Sequence, residues 1–246
     1  LSPTFGMHQY TADYANRMVQ AGHEVILVTT EHYPGDRYLP GVDVSKPVAL
    51  RDTGFSLGGL RVWLVQRAID AILEQKPDIV HITGPHLWNI FVLRALRKAG
   101  IPTIHTLHDL DPHPGSAYGP LLYLWNRAVL RNAEHVLVHG QCYRQRLLER
   151  GMASDSVTYT PLLHLFLGSA WIEQLDRMSD EIAYDPYALF FGRIESYKGV
   201  ADLIAAWVRL PEALRAQVRL ILAGPGCLEA LWKEPLPAGV EVRNHL

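Results

Sequence analysis

The sequence predicts an α/β protein built on parallel sheets, and three observations carry that expectation. Apolar runs of strand length alternate with segments of helical period along most of the 246 residues. Nearly every helical segment stops at a glycine or proline, where a chain turns back towards the next strand. Runs such as Val25-Ile-Leu-Val28 are apolar without alternation, as strands covered on both faces are. Hydrophobic residues make up 48% of the chain, enough for a packed core or two, which excludes disorder as an overall description.

Element by element, a first helix is predicted from His8 to Ala21, stopped by Gly22, and a strand follows from Glu24 to Thr30. The next unit is a helix from Leu60 to Gln75, a break at Pro77 and a strand from Asp78 to Thr83. A helix from Trp88 to Ala99 then precedes the strand Ile101 to Leu107, a loop rich in Pro, Gly, Asp and His, and a helix from Leu121 to Asn132. The strand Glu134 to His139, a helix from Gln141 to Arg150 and a short strand Val157 to Thr160 complete this run. Between Pro161 and Pro186 the alternation fails, leaving a linker with one helix around Trp171 to Met178. It restarts with the strand Tyr187 to Phe191, a helix from Gly199 to Arg209, the strand Val218 to Ala223, a Gly-Pro-Gly turn and the strand Val240 to Val242.

The domain reading is therefore a first domain over residues 1–165, a linker over 166–186 and a second domain over 187–246. Residues 187–246 are too few for a whole doubly wound domain, so the second is expected to be incomplete. The opening Leu1-Ser-Pro-Thr-Phe-Gly6 has the character of a strand-to-helix loop, so the first strand of the first domain is expected to be missing.

Composition narrows the partners. With 23 basic against 25 acidic residues the chain has no global basic field, which argues against nucleic acid and for a small molecule. The two cysteines, Cys142 and Cys227, lack metal-type spacing and fit a reducing, cytoplasmic setting. No uninterrupted apolar stretch reaches the roughly 18 residues that a membrane span needs, and the N-terminus lacks the basic-then-apolar order of a signal peptide.

Four stretches, in order, resemble one family. They are the Gly6 segment with the helix ending Ala21-Gly-His-Glu-Val25, then Pro77-Asp-Ile-Val-His81, then Thr106-Leu-His-Asp109, and finally Gly192-Arg-Ile-Glu-Ser-Tyr-Lys-Gly199 followed by Ala223-Gly-Pro-Gly226. In this the chain is similar to the retaining GT-B glycosyltransferases of group 1, or family 4. The resemblance implies two Rossmann-like domains facing a cleft, the acceptor held mainly by the first and a nucleotide-sugar by the second. It implies transfer of a hexose-type sugar with retention of configuration and no cofactor or metal, the nucleotide-sugar being itself a substrate. The family's pair of donor-site glutamates would fall beyond Leu246, so these residues alone are expected to be inactive.

Within that frame Arg193 and Lys198 are the predicted diphosphate ligands. They stand at a strand tip beside a helix start, where cations oppose the helix dipole and call for another reason, and two cations there would offset the charge of a departing diphosphate. His108 is the candidate catalytic residue, following a strand at its carboxyl end and able to bond a sugar hydroxyl or take a proton near neutral pH. Gly6, Gly192 and Gly224 are expected loop contacts, with Gly226 in the same turn as Gly224, although Phe5 beside Gly6 makes the first approach less open.

Three other readings weigh against these. His105, His108, Asp109, Asp111 and His113 have the residue types of metal ligands, but His105 lies within a strand and no second ligand cluster supports them; the expectation is no metal. His81, His135 and His139 are read as packing or capping residues. The helix at Leu121 to Arg131 is apolar with basic punctuation, which suits core packing and also contact with a membrane surface if the acceptor is lipid-linked rather than a free sugar. A sugar-nucleotide epimerase of the same fold and a non-catalytic remnant are the alternative functions.

Overall fold

The computed structural model describes residues 5–31, 38–49, 61–111, 119–162 and 186–244. The chain divides into two compact units, the first holding the described residues up to 162 and the second those from 186 on.

In the N-terminal unit the order is α1 (Phe5–Gln20), β1 (Val25–Thr30), β2 (Val42–Val48), α2 (Val65–Glu74), β3 (Val80–Ile82), α3 (Asn89–Lys98), β4 (Thr103–Leu107), α4 (Gly119–Leu130), β5 (His135–Val138), α5 (Gln141–Glu149) and β6 (Val157–Tyr159). A single turn of 3-10 helix, Val62–Leu64, leads into α2. β1 pairs with β2, and β3, β4, β5 and β6 form a four-stranded sheet in chain order, every pairing parallel. Parallel neighbours in chain order require a crossover each time, and the helices supply it. The helix ends follow the glycines: after α3, Gly100 takes a left-handed φ of 74°. The amides of Gly100 and Ile101 then return to the carbonyls of Arg97 and Leu96, satisfying acceptors that the last turn leaves open. Trp88, Val92 and Leu96 of the α3 region pack with Ile69 of α2, while Leu93 faces Val129, Val136 and Leu147. α3 therefore lies between two parts of the core.

The C-terminal unit runs β7 (Tyr187–Phe191), a 3-10 turn Ser196–Lys198, α6 (Val200–Val208), a short α7 (Glu212–Arg215), β8 (Arg219–Ala223) and β9 (Val240–Arg243). Its three strands are parallel in the order β7-β8-β9. Val200, Ile204 and Trp207 of α6 bury against Leu220 and Leu222 of β8. Each fully buried aliphatic side chain of this kind contributes about 1.5 to 3 kcal/mol.

Parallel sheets with crossover helices are thus the architecture, as the sequence predicts, and the observed elements match the predicted ones to within a few residues at each end. Four points differ, the first being the short α7, which the sequence reading leaves as a connection between a helix and a strand. The segment Val42-Asp-Val-Ser-Lys-Pro-Val48 is a strand that the sequence does not advertise, because Lys46 and Pro47 interrupt its pattern; among the described residues it pairs with β1 alone, half exposed, where a proline is tolerated. Gly6 lies in the first turn of α1 rather than in a loop, since the helix already begins at Phe5. The helix expected at Gly199 begins at Val200, with Gly199 in a left-handed kink between the 3-10 turn and α6. The helix read around Trp171 to Met178, and His113, fall outside the described residues.

Candidate functional site

Two clusters sit at carboxyl ends of strands, one in each unit, the position where parallel α/β sheets bind ligands.

In the C-terminal unit, the loops after β7 and β8 are stitched together backbone to backbone. Gly192 N donates to Ala223 O at 2.9 Å, Ile194 N to Pro225 O at 2.8 Å, and Gly224 N to Arg243 O of β9 at 3.0 Å. The approach is so close that a Cβ on Gly224 would stand 2.1 Å from Gly192 O, and one on Gly226 would stand 2.5 Å from Ile194 O. Only hydrogen fits at either position. The consequence for Arg193 and Lys198 is a fixed scaffold. Ile194 between them is buried, whereas the Arg193 side chain remains 69% exposed and is ion-paired with Glu195. A pair this exposed is worth about 0 to 1 kcal/mol, so an anion with more oxygens can displace the carboxylate. The Lys198 ammonium lies 5.0 Å from the centroid of the Tyr197 ring. α6 starts immediately afterwards without a side-chain cap, which leaves its first N–H groups for an acceptor, and Asp202 in its first turn is the opposing charge. Of the expected loop contacts, Gly192 and Gly224 lie in this scaffold, while Gly6 belongs to α1 of the other unit.

In the N-terminal unit, parallel register sets Ile82 opposite His105 and Leu107 opposite Val138, so the residues just past β3, β4 and β5, namely Thr83, His108 and His139, emerge side by side. α1 lays Tyr10 and Tyr14 against them: Tyr10 meets His108 edge-on at 5.0 Å between centroids and His139 at 5.2 Å, and Tyr14 meets His81 at 4.5 Å. His108 Nε2 donates to the Thr83 carbonyl at 2.8 Å, which assigns the proton to Nε2 and leaves Nδ1 as the basic nitrogen of the neutral ring. Burial lowers the His108 pKa, against the bond to Thr83, which acts in the opposite direction. His139 Nδ1 donates to Thr160 O at 2.9 Å, and the His81 Nε2 and Tyr10 hydroxyl both meet Thr106 Oγ1, at 2.7 and 3.2 Å. Among the described residues His81 Nδ1 and His139 Nε2 are buried without a partner. Beneath them, buried Asn126 of α4 donates to the carbonyls of Asp109 and Leu110 and pins the loop after His108. Asn89 of α3 bridges Gly84 O and His105 Nε2.

Sequence reasoning finds His108 but not its setting. Thr106 opens the stretch Thr106-Leu-His-Asp109, but Tyr10, Thr83, Asn89 and Asn126 carry no motif; strand register, α1, α3 and α4 bring them together. His81 and His139, read as packing or capping residues, border the same cluster, while His135 pairs separately with Thr158. The metal-ligand types are not convergent: His105 is held by Asn89, His108 by Thr83, and Asp111 by Arg146 and Arg150. Among the described residues no group of three or more His, Cys, Asp or Glu is placed to hold a metal ion, and no helix is long and apolar enough to cross a membrane. A cavity of about 660 Å³ between α5 and β6, lined by Gln141, Arg144 and Tyr159, does not include His108.

Comparison with known proteins adds three findings. Residues 5–162 match the glycosyl transferase 4-like domain. A GDP-mannose-dependent alpha-mannosyltransferase of Mycobacterium tuberculosis is 26% identical over 241 residues, covering 90% of this chain and 59% of the relative. Among solved structures, the Anabaena HepE protein in complex with UDP-glucose superposes with a TM-score of 0.63 at 16% identity, over 99% of this chain and 66% of that one. A UDP-GlcNAc 2-epimerase from Neisseria meningitidis, bound to UDP-GlcNAc, gives 0.61 at 15% identity, over 99% and 70%. The chain thus spans 59% of the curated relative's length, and these structural likenesses establish the GT-B fold.

Proposed function

The chain belongs to the glycosyl transferase 4-like family, and on that premise we propose that it serves transfer of a sugar from a nucleotide-sugar donor to an acceptor hydroxyl with retention of configuration. The observation that carries this reading is the stitched loop Gly192–Gly199, which presents Arg193 and Lys198 beside the uncapped start of α6. A diphosphate leaving group gains negative charge as the sugar bond breaks, and two cations with free helix N–H groups oppose that charge most in the transition state. No cofactor or metal is invoked, because the nucleotide-sugar is itself a substrate. The acceptor in this reading is a sugar or a lipid-linked glycan, and the protein works on the cytoplasmic side at the inner membrane surface.

Arg193→Ala and Lys198→Ala are each expected to weaken nucleoside diphosphate binding by the roughly 1.5 to 3 kcal/mol of a charge-assisted contact. Calorimetric titration with UDP and GDP checks this directly. If both variants bind as the parent does, the loop is only a helix start and the reading loses its support.

His108 takes the sugar end. Its Nδ1, with the unpartnered His81 Nδ1 and His139 Nε2 nearby, supports bonding to sugar hydroxyls, because a buried polar atom without a partner costs about 1 to 3 kcal/mol until one is supplied. His108→Ala is expected to lower kcat by about 10- to 100-fold while changing diphosphate affinity little. Single-turnover transfer set beside nucleotide titration separates the two; an unchanged kcat would make His108 structural. An epimerase reading is favoured by the likeness to the UDP-GlcNAc 2-epimerase, and incubation with donor alone distinguishes it, since an epimerase changes the sugar without an acceptor.

A further inference from the structure

We propose that Tyr10 positions His108, with α1 seated as a clip across the ends of β3 and β4; this rests on, and deepens, the reading that His108 takes the sugar end. The imidazole does not fix itself. The last torsion of a histidine side chain is broad, and one hydrogen bond, from His108 Nε2 to the Thr83 carbonyl at 2.8 Å, leaves the ring free to rock about it. Tyr10 closes that freedom. Its ring stands edge-on to His108, at 5.0 Å between centroids and 87° between planes, and it is only 6% exposed, so water does not share the contact. The same ring meets His139 at 5.2 Å and 72°, and His139 stands 5.0 Å from His108 at 42°. His108 is thus bounded by a carbonyl, a tyrosine and a second imidazole.

What holds Tyr10 is a pair of bonds from successive residues of α1. The Tyr10 hydroxyl meets Thr106 Oγ1 of β4 at 3.2 Å, and Thr11 Oγ1 meets Thr83 Oγ1, just past β3, at 2.7 Å. Successive helical residues point about 100° apart, so two adjacent strand ends take one each. Thr83 is gripped twice, its side chain by Thr11 and its carbonyl by His108, and a shift of α1 is thereby carried to the histidine. Core packing alone would be met by a leucine at position 10. A tyrosine there brings a hydroxyl that is costly to bury unless it is bonded, and its bond falls on Thr106, which is fully buried and also meets His81 Nε2 at 2.7 Å. One turn on, Tyr14 repeats the edge-on contact against His81, at 4.5 Å and 79°. One face of α1 therefore sets aromatic rings against His81, His108 and His139, an arrangement that orients imidazoles as aliphatic packing would not.

Nitrogen NMR of the histidine rings tests this on the chain itself, above about pH 7.5, where His108 is neutral because burial lowers its pKa from 6.5. In the parent the proton is expected on Nε2 alone. Tyr10→Leu should let the ring turn from Thr83, so that the Nδ1 and Nε2 signals of His108 move towards each other as the second tautomer appears. Tyr10→Phe keeps the ring and gives up only the Thr106 bond; it should stay close to the parent. Thr11→Val should give the Tyr10→Leu change in smaller measure, and it decides the matter if far-UV circular dichroism shows that Tyr10→Leu does not fold. Single-turnover transfer should show a loss in kcat of about 2- to 10-fold for Tyr10→Leu, the worth of one edge-to-face contact, with UDP and GDP affinity unchanged. Placed on His108→Ala, Tyr10→Leu should cost nothing further, because the two residues act as a unit. A proton that stays on Nε2 alone in Tyr10→Leu, or in Thr11→Val where that is the variant that folds, overturns the proposal, and so do losses that add. An unchanged kcat in His108→Ala instead removes the sugar-end reading, and the tautomer result still shows whether Tyr10 orients the ring.

Discussion

The N-terminal unit is expected to lose several kcal/mol of stability as the pH falls from 6.5 to about 4, well above the acidity that unfolds most carboxylate-stabilised domains. Burial pushes the His81 ring down to about 4 and the His86 and His105 rings to about 3, from 6.5 when exposed. The sign follows from which state binds the proton. In the unfolded chain these rings protonate near 6.5, while the folded unit keeps them neutral until about 4 or 3; between those limits the unfolded state holds more protons and stability falls with pH. Above 6.5 the contribution is fully present. Each ring adds a slope of about 1.4 kcal/mol per pH unit inside its window.

The neighbours sharpen the effect. His81 faces His108 and His139, whose charges would oppose its own, and among the described residues no carboxylate bonds to His86 or His105: Trp88 N donates to His86 Nδ1, and Asn89 donates to His105 Nε2. Urea midpoints followed by tryptophan fluorescence from neutral pH down to about 4 measure the slope. His86→Asn, whose amide oxygen can still accept from Trp88 N, should reduce it by one proton. A stability that is flat across this window would mean that the three rings are hydrated and free to charge.

That the histidines form one cluster is also where reading the sequence reaches its limit. The alternation of apolar runs and helical segments defines each crossover unit locally, so β1, β4, β5, β7 and β8 are legible from a few residues each. The motif around Lys198 is legible for the same reason, being contiguous. Thr83 and His108 are not contiguous. They meet because β3 and β4 pair parallel with Ile82 opposite His105, a register that depends on the helices packed across both strands rather than on any local signal. The strand Val42–Val48 escapes for a different reason: most of its residues are exposed or half-buried, and the apolar pattern that marks a buried strand is no longer needed. Gly6 is the reverse case: its sequence context suggests a loop, yet a helix's first turn accepts it without loss of a hydrogen bond.

The second large effect is expected at Gly224. Its φ of 137° already lies where an L side chain is strained, at a cost of about 1 to 3 kcal/mol. A methyl group there would also stand 2.1 Å from Gly192 O and 2.7 Å from Gly192 C, and since both are backbone atoms, no rotamer change can relieve the overlap. The two loops must separate, which breaks Gly192 N to Ala223 O or Ile194 N to Pro225 O, and overpacking of this kind costs about another 1 to 3 kcal/mol. Gly192 supplies the control. It has a similar φ of 145° but nothing within 4 Å of an added Cβ, so Gly192→Ala carries the conformational cost without the collision. Gly224→Ala should therefore destabilise the C-terminal unit by about 2 to 6 kcal/mol and Gly192→Ala by about half of that. Amide exchange across β7 and β8 reports both. Diphosphate binding should fall further in Gly224→Ala than stability alone explains, because Arg193 rides on the strand that is pushed away; equal exchange and equal affinity in the two alanine variants would show that the loops are not held together by this contact.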